Sequence, residues 1–230
     1  MENHEELLDK WNMEPGHFGE AFIRDGVIDP VCWASSSRKV LLLLKEAYTD
    51  QGSKEGYDLC KWIREEWGGT ESNMWPRVAR WCHMVHSLEK PKSYEKISDK
   101  EAKDALLSSA VINIKKSNGR SFSEEENIKD YATKDKEYIK KQIVLINPQI
   151  VICGYTWPFV KDFWVDWQSV SDLVYFADGR IFVDYWHPAN RYPHKLNYYT
   201  LAFLLQQAQR EKPQLFARLF NGEYGGVKND

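Results

Sequence analysis

Three short segments carry side chains whose types and spacing suit hydrolysis. Trp186-His187-Pro188-Ala189-Asn190-Arg191-Tyr192 follows the apolar run Ile181-Phe182-Val183, which delivers a histidine to a loop at the end of an expected strand. Proline stiffens the exit of that loop, because its ring fixes φ and pushes the preceding residue out of the helical region. A histidine held this way can donate a hydrogen bond to developing negative charge. Glu46 and, four residues on, Asp50 follow the run Lys39–Leu44, and either carboxylate can activate a water. Asn113, within the run Ala110–Ile114, offers donors and an acceptor for reading the edge of a heteroatom ring. The loop that follows, Lys115-Lys116-Ser117-Asn118-Gly119-Arg120-Ser121, is basic and suits phosphates.

Such groups act together only if the fold brings them to one edge. Four short runs read as strands: Lys39–Leu44, Ala110–Ile114, Gln149–Cys153 and Arg180–Asp184. Their nearly continuous apolar character suits strands covered on both faces. Between them lie helical stretches at Tyr57–Trp67, which a Gly68-Gly69 pair stops, at Asn73–Leu88 and at Ser123–Asn147. Ser123-Glu124-Glu125-Glu126 has the form of a capping box, and Pro148 marks the exit of the long helix. The alternation predicts a three-layer α/β/α fold with a central four-stranded parallel sheet. Ligands of such sheets bind beyond the carboxyl ends of the strands, so the loops after Leu44, Ile114 and Asp184 are expected on one edge. Residues 1–38 read as an N-terminal helical segment in which Phe18, Phe22 and Ile28 suggest packing. Glu89–Lys103 reads as a solvated insertion and Glu211–Asp230 as a tail.

Composition narrows the classes. A chain of 230 residues, 43% hydrophobic, can bury one substantial core and needs no second domain. Its net charge of -3 excludes a general basic coat, so any contact with nucleic acid depends on a local patch. No apolar run is long enough to span a bilayer, and the acidic start Glu2-Asn3-His4-Glu5-Glu6 has no apolar signal region, which leads to the expectation of a cytoplasmic chain. Cys32, Cys60, Cys82 and Cys153 are scattered and expected to be reduced. Cys82-His83 with His86 reads as a packed helix rather than a metal site, and Trp62, Trp67, Trp75 and Trp81 as core. Neither metal nor cofactor is expected.

In order and context these segments resemble the uracil-DNA glycosylase superfamily. They are most similar to the branch whose first motif reads Gly-Glu-Ala-Pro-Gly. Leu44-Lys45-Glu46-Ala47-Tyr48 stands in its place, and Asn113 with the basic loop follows the second strand. Pro148-Gln149-Ile150-Val151-Ile152-Cys153-Gly154 echoes the strand after the long helix, and His187-Pro188-Ala189 matches the last motif. The resemblance spans about Lys39 to Gln206. It implies a DNA glycosylase that flips a damaged or modified base from the stack and hydrolyses its N-glycosidic bond, with DNA as partner, no membrane and no obligatory protein partner. In those terms Glu46 activates water, with Asp50 as rival, and His187 stabilises the leaving base. Asn113 reads the base, Tyr57 forms a stacking platform, and Lys45 and Tyr48 shape the pocket. Lys115, Lys116, Ser117 and Arg120 hold phosphates, while Asn190, Arg191 and Tyr192 meet the vacated stack. Lys45 and Tyr48 replace the family's glycine and proline, and the iron–sulfur cysteines of the branch are absent. A pocket remodelled in this way leads to the expectation of a larger or more polar base than uracil. Some members of the superfamily act in defence against phages with modified DNA, others in repair.

Each residue also has a plainer reading. Glu46 can cap a helix, Asn113 can satisfy loose backbone groups, and the lysine pair can be a solvated surface. The alternative for the whole chain is a catalytically inactive nucleic-acid-binding module on the same fold. A third reading is a different doubly wound hydrolase acting on nucleotides.

Overall fold

The computed structural model describes residues 2–49, 53–66 and 74–224. In chain order the elements begin with α1 (His4–Asn12), β1 (Gly26–Val27), α2 (Pro30–Ser35), β2 (Val40–Glu46) and a single turn α3 (Leu59–Lys61) that runs into a π-turn. They continue with α4 (Trp75–His86), α5 (Asp99–Leu107), β3 (Ala110–Lys115), α6 (Glu125–Lys134), α7 (Lys136–Ile146), β4 (Ile150–Gly154) and α8 (Trp157–Val160). The last are β5 (Gln168–Ser171), β6 (Val174–Ala177), β7 (Arg180–Tyr185), α9 (His194–Glu211) and α10 (Pro213–Phe220).

Among the described residues one mixed sheet of seven strands runs in the order β1-β3-β2-β4-β7-β6-β5. The four expected strands are its parallel centre, β3-β2-β4-β7. The expectation of a four-stranded parallel sheet is thus corrected by three antiparallel additions: β1 on β3 at one edge, and β6 and β5 beyond β7 at the other. These were hard to read because β1 is two residues long and β5 is largely exposed. One signal was present in Asp178-Gly179, a pair with positive φ (47° and 72°) that closes the β6–β7 hairpin.

Burial on both sheet faces follows from the period of two along a strand. In β2, Leu42 and Leu44 join Val78, Trp81, Leu106 and Leu201 under α4, α5 and α9, while Leu41 and Leu43 join Trp11, Ile128, Ile143 and Val160 under α1, α6, α7 and α8. The sheet therefore has helices on both sides. Strand β2 sends its chain to the first of these faces, whereas its neighbours β3 and β4 send theirs to the second. A crevice opens at the carboxyl end of β2, where ligands of such sheets bind.

Several local readings change. The long helix is divided at Asp135, whose carboxylate turns inward to His17. Its start at Glu124 has no side-chain cap; the capping boxes are at Asn3/Glu6 and Ser98/Glu101 instead. Asn147, in the left-handed conformation with φ 52°, ends α7 just before Pro148. The insertion Glu89–Lys103 carries the start of α5, with Ile97 and Ala102 buried, and the tail carries α10, with Phe216 and Leu219 buried. Phe22 and Ile28 pack as expected, whereas Phe18 is exposed. Trp75 and Trp81 are core; Asp50, Trp67 and Gly68-Gly69 lie outside the described residues.

Candidate functional site

A cavity of about 830 Å³ opens where β2 and β3 end, and Glu46, Tyr48, Tyr57, Asn113, Arg120 and His187 all line it. Its wall is completed by Leu44, Trp62 and Trp75, and its rim by Glu55, Asp58 and Lys61. Parallel pairing sets the floor. Leu44 is in register with Asn113, and Glu46 with Lys115, so the carboxylate and the amide stand on neighbouring strands. Lys115 Nζ lies 3.0 Å from Glu46 Oε2, with the two side chains 6% and 3% exposed. The same ammonium donates to Asn127 Oδ1 at 2.7 Å.

Loop closeness depends on glycine at two positions. A Cβ on Gly119 would stand 1.6 Å from the Ala47 carbonyl oxygen, and one on Gly56 1.8 Å from that of Phe22. Gly119 O also accepts from Thr49 N and Thr49 Oγ1, each at 3.1 Å, which stitches the loop after β3 to the loop after β2. Gly119→Ala is expected to cost roughly 1–3 kcal/mol, because backbone must move to admit the methyl group. A urea midpoint equal to that of the parent would refute this.

His187 is half-buried, and its Nδ1 accepts the Ala189 main-chain N–H at 3.2 Å. Burial, together with Lys45 and Arg77 nearby, pushes its pKa down to about 4. At neutral pH the ring is uncharged, and with Nδ1 accepting, its proton resides on Nε2. The site is thus offered a neutral N–H donor. The loop that presents it is pinned from below. Arg77, buried on α4, donates to the carbonyls of Pro188, Asn190 and Tyr192 at 2.7, 2.8 and 3.2 Å. Asn190 Nδ2 donates to His187 O at 2.7 Å and to Asn197 Oδ1 at 3.0 Å, while its Oδ1 accepts from Tyr192 N at 2.9 Å.

The remaining expected residues divide. Tyr57 and Tyr48 are joined by a hydrogen bond from Tyr57 Oη to Tyr48 O at 3.2 Å, and Tyr48 is exposed. Lys45 does not line the cavity; its Nζ lies 4.6 Å from the centre of the Tyr155 ring. Arg120 and Arg191 are exposed at the surface, as is Tyr192, whose ring stands 4.7 Å from that of Trp186. Three phosphate assignments are corrected. Lys116 is fully buried in an ion pair with Asp25, and Lys115 is committed to Glu46. Ser117 is fully buried, with Oγ 2.7 Å from His17 Nδ1. Asn190 spends its amide inside the loop instead of presenting it to DNA.

Two groups escaped the sequence reading. Arg77 interrupts the apolar face that α4 builds with Trp81, and that misplaced charge was the available signal. Asp25, between Arg24 and Gly26, looks like turn chemistry and gave none. Ser117, His17 and Asp135 form a hydrogen-bonded series, with His17 Nε2 2.9 Å from Asp135 Oδ2. All three are buried, so the series ties the N-terminal segment to the loop after β3 and to the α6–α7 junction, and none of the three lines the cavity. Among the described residues no group of three His, Cys, Asp or Glu side chains could hold a metal ion, and no helix is long and apolar enough to cross a membrane.

Comparison with known proteins finds no matching family model, no matching curated protein and no matching solved structure.

The histidines predict an acid-sensitive fold. Burial holds His86 as well as His187 at about 4, against 6.5 in an unconstrained chain. The unfolded state then binds more protons in that interval. The stability that the neutral rings contribute is complete above about 6.5 and is lost as pH falls towards about 4. Urea midpoints are expected to fall across this window, and by less in His86→Leu. Equal slopes in the two proteins would refute the assignment.

Proposed function

We propose that this chain is a DNA N-glycosylase on a uracil-DNA glycosylase-like fold, which flips a damaged or modified base out of DNA and hydrolyses its N-glycosidic bond. One observation carries the reading: a carboxylate, a carboxamide and an uncharged imidazole line a single cavity of about 830 Å³. That volume suits a small-molecule-sized group.

In this reading the flipped base enters between Asn113 and the Tyr48–Tyr57 wall. Unstacking it costs a few kcal/mol, offset by contacts in the pocket and to the backbone. The C1′–N bond breaks, the bonding pair leaves with the base, and positive charge develops on the sugar. Glu46 supports that charge and takes the proton of the water that attacks C1′. His187 donates Nε2–H to the anionic base; a ring already neutral gives this stabilisation without protonating the base first. Lys115 balances the charge of Glu46. Phosphate contacts fall to cations at the surface, Arg120, Lys61 and Arg191, since the inner lysines are engaged.

The test is a scan for abasic sites in DNA carrying uracil, hypoxanthine, alkylated, hydroxymethylated or glucosylated bases. Release of one free base with an alkali-labile site is the expected result. DNA binding without release of any base would overturn this reading in favour of a non-catalytic binding module.

A further inference from the structure

Asn113 ends a series of buried side chains whose polarity is dictated from the other end. Lys116 is fully buried and has only donors to offer. Its Nζ lies 2.5 Å from Asp25 Oδ1 and 2.9 Å from Gln142 Oε1. With its oxygen so engaged, Gln142 turns Nε2 to Asp25, reaching Oδ1 at 3.0 Å and the main-chain oxygen at 3.1 Å. Asp25 Oδ2 in turn receives the Asn113 main-chain N–H at 2.8 Å and Asn113 Nδ2 at 3.1 Å. A carboxylate balanced by an ammonium accepts and cannot donate, so an Asn113 amide turned the other way would set oxygen against oxygen. The nitrogen therefore belongs to Asp25. Asn113 Oδ1 accepts no hydrogen bond from the described residues, and Asn113 lines the cavity.

We propose that Asp25 is a positioning residue that makes Asn113 an acceptor, so that the cavity takes a base with a hydrogen-bond donor, a ring N–H or an exocyclic amino group, opposite Asn113 Oδ1. Any further contact through the second Nδ2 hydrogen must keep this register, with the donor of the base on Oδ1. The proposal rests on the glycosylase reading for the ligand being a base. It also accounts for the buried Lys116, which stands against Asp25 as its ion-pair partner. A base that meets Oδ1 with a carbonyl or a ring nitrogen lone pair leaves two acceptors unpaired in a largely dry corner, and such sites reject ligands that lack the matching group.

The experiment measures dissociation constants of free bases in pairs that differ by one donor, using the intact chain: adenine against purine, cytosine against pyrimidin-2-one, uracil against 3-methyluracil. At least one donor-bearing member is expected to bind roughly tenfold more tightly than its counterpart, the scale set by one unpaired buried polar group. Asn113→Ala should abolish that ratio. The double variant Asp25→Asn, Lys116→Met, which removes both buried charges together, should shrink the ratio while still binding the donorless analogue. In the parent, the Asn113 side-chain amide should give a hydrogen-exchange-protected NMR signal that the double variant loses. A variant that fails to fold leaves the other variant and the parent measurements to decide. Equal binding within every pair, or a ratio that survives in Asn113→Ala, overturns the assigned polarity and leaves excision standing. Discrimination without excision overturns the glycosylase reading alone. No binding by any base overturns both.

Discussion

Glu46→Gln is expected to slow single-turnover base excision by on the order of a hundredfold or more, with DNA affinity little changed. The substitution keeps the shape of the side chain but removes the negative charge, and with it, on the proposed mechanism, the base that accepts the proton of water. It also removes the charge that supports the cationic sugar. Both contributions exist only as the glycosidic bond breaks, so they appear in the rate rather than in binding. In the glycosylase reading backbone phosphates supply most of the affinity, and the exposed Arg120, Lys61 and Arg191, rather than the cavity floor, are the cations left to meet them. His187→Ala is expected to lose roughly 3–4 kcal/mol of transition-state stabilisation, the worth of one well-placed donor. Its loss should persist at every pH above about 5, because a ring held near 4 is already neutral there. The measurement is excision on whichever base proves active, with binding followed in parallel at one stated salt concentration. Full activity in Glu46→Gln would move the role to another carboxylate, Asp50 being the nearest in sequence. Unchanged activity in both variants would sink the mechanism.

How far the site was legible follows from what a sequence displays. Apolar runs of five or six residues announce strands buried on both faces, and their ends announce loops, so Glu46, Asn113 and His187 could be expected at one edge. The edge strands were less visible: short pairings are fixed by turns and neighbours rather than by their own composition. Charge misled most. Lys115 and Lys116 look like a solvated basic loop because a lysine pair usually is one. Here each has a buried carboxylate, Glu46 for one and Asp25 for the other, and the second partner lies 91 residues away in sequence. Such pairing is a property of the fold, with no local pattern to betray it. Ser117 likewise finds His17 across 100 residues. The buried Arg77 differs, since a cation on the apolar face of an amphipathic helix is itself the sign of an unusual partner. Here that partner is a row of carbonyls beneath the histidine loop.

Lys115→Met carries the largest expected effect on stability. Glu46 and Lys115 form an ion pair with both side chains almost wholly out of water, and Glu46 Oε2 has no hydrogen-bond partner of good geometry among the described residues, so the ammonium meets it as a counter-charge. Removing the ammonium strands a carboxylate in a low-dielectric corner, which costs on the order of 3–5 kcal/mol, a large share of the stability of an ordinary domain. Asn127 loses its partner at the same time. The double variant Glu46→Gln, Lys115→Met removes both charges and should recover most of that loss, because two neutral groups of similar size need no counter-charge. Activity should not return with stability. If the pair merely held the ends of β2 and β3 together, the refolded double variant would excise as the parent does. If Glu46 is the group that supports the reacting sugar, the double variant stays as inactive as Glu46→Gln alone. Urea midpoints for the four proteins of the cycle, beside single-turnover rates for the same four, separate these outcomes. A Lys115→Met chain as stable as the parent would show that the pair contributes nothing to the fold, and the floor of the cavity would need another account.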